Sequence, residues 1–440
     1  MSHTPAPPPY DNDAFDPKNE NPPVRYGLPS KVTYCKSCVI SNQRPNSTVE
    51  FKSNANSLKT TIMFDDDGIC DACRVAETKH RETDWEKRER ELAALCDKYR
   101  SRNGSYDCIV PGSGGKDSVY AAHVLKTKYG MHPLTVTWAP HLYTDIGWQN
   151  FQAWIHSGFD NVLHTPNGRV HRLLTRLAVE NLFHPFQPFI LGQKNLAPKL
   201  AALYKIPLVF FGENEAEYGN PRQSNDSSQR SREFYSATDE GQMFLGGESI
   251  TSLKEDYGLQ TCDLEPYLPA NPDALDEIGL EVHYLGYYLK WRPQDCYYYA
   301  VEHCGFRAAP ERTPGTYSKY NSLDDKIDDF HYYTTYIKFG IGRTTYDAAQ
   351  EIRSGEIDRD EGVALIKRFD GEWPERYADE IFQYLSITKD QYGDVADMFE
   401  QPVVDKDYFM RLTDKFRSPH LWAHNGNSWA LRHPIWEAEG

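Results

Sequence analysis

Between Tyr106 and Phe211 the apolar residues fall into short runs separated by longer amphipathic stretches. Ile109-Val110, Leu134–Trp138, Asn161–His164 and Pro207–Phe211 have the length and the β-branched or aromatic content of strands. After the first run, Val119, Ala121, Ala122, Val124 and Leu125 build one apolar helical face. Ile146–Trp154, Val170–Leu182 and Asn195–Tyr204 supply further helices. Strands alternating with helices predict an α/β fold, a parallel doubly wound sheet covered on both faces. Ligands of such sheets collect beyond the carboxyl ends of the strands. That rule gathers Ser113–Ser118, Trp138–Asp145 and Gly212–Tyr218 around one crevice.

The flanks differ in pattern. Residues 1–30 are rich in Pro, Asn and Asp and predict a flexible arm. A module spans 31–83, and a helix over Asp84–Tyr99 links it to the alternating region, which runs over 84–265. Residues 266–440 are mostly helical, with helices predicted at Pro293–Cys304, Ser322–Lys338, Thr345–Ser354, Asp358–Phe369 and Pro374–Leu385. The polar stretch 220–251 predicts a mobile excursion, either a lid over the crevice or an inert surface loop. No internal repeat is visible.

Composition narrows the classes. A net charge of −16 disfavours a dedicated nucleic-acid binder. No stretch approaches the roughly 20 apolar residues that span a bilayer. The N-terminus lacks a basic-then-apolar leader, so a cytoplasmic protein is expected. Four of the nine cysteines form two CxxC pairs, Cys35/Cys38 and Cys70/Cys73. Two such knuckles suit tetrahedral Zn²⁺, and four thiolates leave no open position, so the metal's role would be structural. An iron–sulfur cluster or four unliganded thiols are the alternatives.

The candidate chemistry sits in Ser113-Gly114-Gly115-Lys116-Asp117-Ser118, between a strand and a helix. Such a loop points backbone N–H groups and a positive helix end at one spot, which is an anion site. It is not a Walker loop, because Val110 stands where that motif has its first glycine and Asp117 where it has Ser or Thr. The hexapeptide resembles the signature of the PP-loop ATP pyrophosphatases, whose fold is the adenine nucleotide hydrolase-like sheet. In that family the loop cradles pyrophosphate and its Asp serves Mg²⁺.

A wider resemblance follows. The cysteine module, the loop, Gly212-Glu213-Asn214-Glu215-Ala216-Glu217-Tyr218-Gly219, Leu323-Asp324-Asp325-Lys326 and Lys338-Phe339-Gly340-Ile341-Gly342-Arg343 together resemble the N-acetyl-sugar amidotransferases. That family serves bacterial surface-polysaccharide biosynthesis, including lipopolysaccharide O-antigen. The likeness runs from about Cys35 to Leu385. It implies conversion of a sugar acetamido group to an acetamidino group with ATP and ammonia. Ser113, Gly114, Gly115, Lys116 and Ser118 would then hold pyrophosphate, and Asp117 would hold Mg²⁺. Lys326, Lys338 and Arg343 would reach the phosphates from the helical half, although most basic residues are simply exposed. Glu213, Asn214 and Glu217 would orient ammonia, accept a proton or hold sugar hydroxyls, the alternative being a solvated acidic loop. Trp138 and Tyr143 are positioned to stack on adenine or sugar, or to be core; His141, His184 and His331 read as structural.

Met1-Ser2 offers no N-terminal cysteine nucleophile, and no Gly-x-Cys-x-Gly elbow occurs. The resemblance therefore implies a separate glutaminase and a cyclase-like subunit that supply ammonia. The acceptor would be a nucleotide sugar, such as a diacetamido uronic acid, or a nonulosonic acid. A PP-loop tRNA-modifying enzyme and an inactive ATP-binding scaffold remain as competing readings.

Overall fold

The computed structural model describes residues 13–218, 227–392 and 399–438. Its centre is a five-stranded parallel sheet: β1 (Cys108–Pro111), β2 (Pro133–Trp138), β3 (Asn161–His164), β4 (Leu208–Phe211) and β5 (Glu281–Tyr284). The spatial order is β3-β2-β1-β4-β5. Register runs Ile109 beside Leu134 and Val209, and Val209 beside Val282. The chain builds outward from β1 to β3 and then returns to β1's other side, so the winding reverses between β1 and β4. A crevice opens at the carboxyl ends of strands at such a reversal.

Period-two alternation divides the sheet's side chains between two cores. Ile109, Leu134, Val136, Trp138, Val209 and Val282 face α5 (Gly168–Leu182) and α6 (Gln187–Tyr204), meeting Leu173, Leu177, Leu196 and Ala201. Cys108, Val110, Leu208 and Phe210 face the other way. There they meet α2 (Trp85–Tyr99), α3 (Lys116–Thr127), α4 (Asp145–His156) and α7 (Pro293–Cys304). Before these comes α1 (Asp71–Arg81), which opens on the second cysteine knuckle. In the C-terminal half lie α8 (Asp328–Phe339), α9 (Arg343–Ser354) and α10 (Arg359–Phe369).

Several expectations are corrected. β5 was not anticipated: its Glu281-Val282-His283-Tyr284 alternates weakly and merges into the aromatic run that follows. The helix expected over Ser322–Lys338 begins only at Asp328. Residues ahead of it form bends and a turn, with Asp325 bridged to Tyr143 and its carboxylate accepting from the backbone N–H of His141 (2.7 Å), Leu142 (3.3 Å) and Ile327 (3.1 Å). α6 starts at Gln187, earlier than Asn195, because Pro188 falls in its first turn, where a missing N–H is harmless.

The described part of the 220–251 stretch is packed: Tyr235, Met243 and Leu245 are buried in the α5/α6 core. Residues 220–226 lie outside the described residues. The described part of the arm expected over residues 1–30 is also tied down. Phe15 and Leu28 are buried with Phe330, Phe409 and Trp422, and Phe15 C=O accepts from His424 N–H at 2.9 Å. Proline-rich composition concealed a few well-placed apolar anchors.

Gly192 explains how α6 lies so close to β2. A Cβ there would fall 2.1 Å from the Trp138 ring. Gly192→Ala should therefore destabilise the fold by about 1–3 kcal/mol through overpacking, read as a lower urea midpoint with near-native circular dichroism.

Candidate functional site

The Ser113–Ser118 loop follows β1 and leads into α3, whose first residue is Lys116. Gly114 has φ +88°, and a Cβ there would lie 2.7 Å from the Phe151 Cα on α4. Both the left-handed backbone and the close approach require glycine. Gly112, whose N–H reaches Val136 O at 3.0 Å, is equally confined: an added Cβ would meet Ser118 Cβ at 2.1 Å. The loop is thus held tightly against two helices, with the open N–H groups of α3 at its end.

Lys116 is buried and ion-paired to Asp117. Burial pulls its ammonium pKa down, but Asp117 and Glu213 more than offset that, and the net shift is upward. Asp117 Oδ1 is buried with no hydrogen-bond partner among the described residues. Glu213 stands just beyond β4, where burial, and then the charge of Asp117, lift its carboxyl to about 7. A hydrogen bond with Tyr218 opposes the rise.

These groups open onto a cavity of about 620 Å³ across the ends of β1 and β4. Its walls include the loop, Arg44 and Ser47 of the cysteine module, Phe189 and Gln193 of α6, Glu213 and Tyr218 beyond β4, and the segment carrying Asp324, Asp328, Tyr332, Arg343 and Asp347. Six carboxylates line it (Asp117, Glu213, Asp324, Asp325, Asp328 and Asp347) against three Lys or Arg side chains (Arg44, Lys116 and Arg343). Burial lifts Asp328 to about 7, although Arg343 opposes the shift. An excess of buried acid with an unpartnered carboxylate oxygen fits a hard divalent cation such as Mg²⁺. Asp117 would hold it, with Glu213 alongside.

The cavity brings together Ser113, Gly114, Gly115, Lys116, Asp117, Glu213 and Arg343. Ser118 lies behind the loop, its hydroxyl donating to Gly115 O at 3.0 Å. Three other candidates are engaged elsewhere. Glu217 pairs with Lys79 on α1 at 2.7 Å. Lys326 pairs with Glu380 at 2.6 Å, and Lys338 donates to Leu182 O at 2.7 Å. Asn214 caps its own turn by accepting from Ala216 N–H at 3.1 Å. Trp138 is core, and His141 is fixed by Asp325 at 2.7 Å. His184 stacks on His331, which reaches the cavity wall. Arg44, Ser47 and Tyr346 were not anticipated, because nothing in local periodicity distinguishes them.

The sulfurs of Cys35, Cys38, Cys70 and Cys73 all lie within 4.8 Å of one another. Cys35–Cys73 and Cys38–Cys70 are each 3.8 Å apart. A tetrahedron with Zn–S bonds of about 2.3 Å has edges of about 3.8 Å, so the donor set fits zinc. Cys35 Sγ also accepts from the backbone N–H of Ser37 (3.4 Å) and Cys70 (3.3 Å), stabilising a thiolate.

Residues 314–434 match the family model described as "LPS biosynthesis protein WbpG-like, C-terminal domain". This WbpG-like segment contains the cavity wall from Tyr320 to Gln350. It also runs past Leu385, where the likeness carried by motifs ends. Over 52 residues the chain is 40% identical to the uncharacterized protein MJ1599 of Methanocaldococcus jannaschii, a match spanning 12% of this chain and 19% of that protein. Among the described residues no helix is long and apolar enough to cross a membrane.

Elemental analysis of the purified protein should find about one zinc per chain. Cys38→Ser should lose it together with most folded yield, because the thiolates are buried in the core they organise.

Lys338, in the WbpG-like segment, gives a pH signature. Burial, reinforced by Lys59, lowers its amine from 10.5 to about 7. Between those values the unfolded chain binds a proton that the folded chain does not, so this group makes stability rise with pH. Lys338→Met should have a higher urea midpoint than the native protein at pH 7, and the gap should close as pH approaches about 10.

Proposed function

We propose that the protein is an ATP-dependent amidotransferase that converts a sugar acetamido group to an acetamidino group for a surface polysaccharide. The observation that carries this reading is that the Ser113–Ser118 loop and the WbpG-like segment face one cavity. A phosphate-binding loop and a segment similar to a lipopolysaccharide-biosynthesis protein then act on one bound pair of substrates. The loop is read as a PP-loop, cleaving ATP between its α and β phosphates.

An amide carbonyl is a poor electrophile. Its oxygen attacks the α-phosphorus of ATP and pyrophosphate leaves, so the oxygen becomes part of an AMP leaving group. Ammonia then attacks the amide carbon, a proton is lost, and AMP departs with the oxygen. The loop N–H groups and Lys116 hold the departing pyrophosphate, which is charge stabilisation by preorganised donors. Mg²⁺ at Asp117 would neutralise phosphate charge. Glu213, with a carboxyl near neutrality, accepts the proton released when ammonia adds. The walls of the cavity limit water, which would otherwise hydrolyse the adenylated amide. Ammonia is supplied by a separate glutaminase with a cyclase-like subunit.

Purified protein given ATP, Mg²⁺, ammonium and a panel of acetamido sugars should release AMP and pyrophosphate. The product should be about one mass unit lighter, as oxygen is replaced by NH. Lys116→Ala and Asp117→Asn should each lower turnover by about 10²-fold, and glutamine alone should give no product. Pyrophosphate release with tRNA and with no sugar would favour the RNA-modifying reading, and no release with any acceptor would leave a scaffold.

A further inference from the structure

Arg44 lies between the two cysteine knuckles, and its backbone is pinned on both sides. Its N–H reaches Ser41 O at 3.2 Å, and its C=O accepts from Ile62 N–H at 2.9 Å. Pro45 bridges Thr61. The side chain reaches from the module into the cavity wall and is only 6% exposed.

Its situation differs from that of the other two cations there. Lys116 is bound to Asp117, and Arg343 is ion-paired to Asp347 at 3.0 Å, although its Nε makes no hydrogen bond among the described residues. Arg44 Nη1 is buried with no hydrogen-bond partner among the described residues. The Tyr346 ring, 5.9 Å away, is its aromatic neighbour. Burial lowers its pKa; Tyr346 opposes the shift, and Arg353 adds to it. A buried guanidinium without an anion is costly, and the cost is removed when a ligand brings one. Tyr218, which also feels the charge of Arg44, hydrogen-bonds Glu213, so Arg44 belongs to the same electrostatic unit as the loop.

We propose that Arg44 is the receptor for an oxyanion of a bound ligand, a phosphate or a carboxylate, delivered to the cavity by the cysteine module. The planar fork of arginine matches both groups in a two-point contact, which lysine cannot reproduce. The proposal rests on the cavity being a substrate site, and it makes the metal module part of that site as well as of the fold. The oxyanion has two sources, the triphosphate of the nucleotide or an acidic group on the sugar acceptor, and binding measurements separate them.

The full-length, metal-loaded protein is titrated calorimetrically with Mg-ATP, and separately with a hexuronate and with uridine diphosphate. R44Q and R44K are compared with the native protein, metal content and urea midpoint being checked first. R44Q should weaken at least one probe by about tenfold or more, and R44K should recover little of the loss. A loss for Mg-ATP alone assigns Arg44 to the nucleotide. A loss for hexuronate or uridine diphosphate assigns it to the acceptor. If R44Q does not retain its metal, R44K carries the comparison, because it keeps the charge and loses only the fork. Unchanged affinity for every probe in a folded, metal-loaded variant overturns the proposal. Lys116→Ala tests the underlying reading independently: unchanged Mg-ATP affinity there removes the nucleotide site, while the acceptor arm still judges Arg44.

Discussion

Four sulfurs held within 4.8 Å of one another organise the module that brings Arg44 and Ser47 to the cavity. Their surroundings come from far along the chain. Val39 and Ile40 pack with Ile341, Ala348, Ala349 and Ile366, so the knuckles and helices α9 and α10 share one core. Arg359 donates to the carbonyls of Cys38 at 3.1 Å and Cys35 at 3.3 Å. The Lys79–Glu217 pair then joins α1 to the turn beyond β4. Both partners are largely buried, and loss of either would leave a charge unmatched. The cluster thus sets the spacing between the sheet's loops and the helical wall opposite them.

The electrostatics of the cavity follow from that spacing. Burial raises the carboxyls of Glu213, beyond β4, and of Asp328, in the WbpG-like segment; the charge of Asp117 adds to the first and that of Asp324 to the second. Lys116 alone cannot neutralise such a cluster. It is paired with Asp117 in the first turn of α3, where both face the cavity.

Much of this was legible in the sequence, for physical reasons. The strand–loop–helix unit at Ile109–Leu125 announces itself because glycine, helix start and apolar period all coincide within a few residues. The cysteine pairs are legible because metal geometry dictates their spacing. What stayed hidden depends on distant partners. Glu213 and Glu217 are four residues apart and share a motif, yet one faces the cavity and the other a lysine from α1. Lys326 and Arg343 looked alike as candidates, and only packing separates them. β5 was hidden by weak alternation, and Arg44 by having no local pattern at all.

The stitching of residues 14–34 to residues 416–433 has a consequence in time. Tyr26 donates to Phe416 O at 2.7 Å, Arg25 N–H to Ser418 Oγ at 3.0 Å, Tyr34 to His433 O at 2.7 Å, and Arg432 to Asp16 O at 2.9 Å. During synthesis the early segment leaves the ribosome long before its partners exist. The knuckles, too, wait for α9 and α10 to complete their core. Domains made in sequence order can fold as they emerge, but residues 14–34 find these partners 390 to 416 positions further along the chain. Until that later segment emerges, Phe15 and Leu28 lack the Phe409, Phe416 and Trp422 side chains they are buried with.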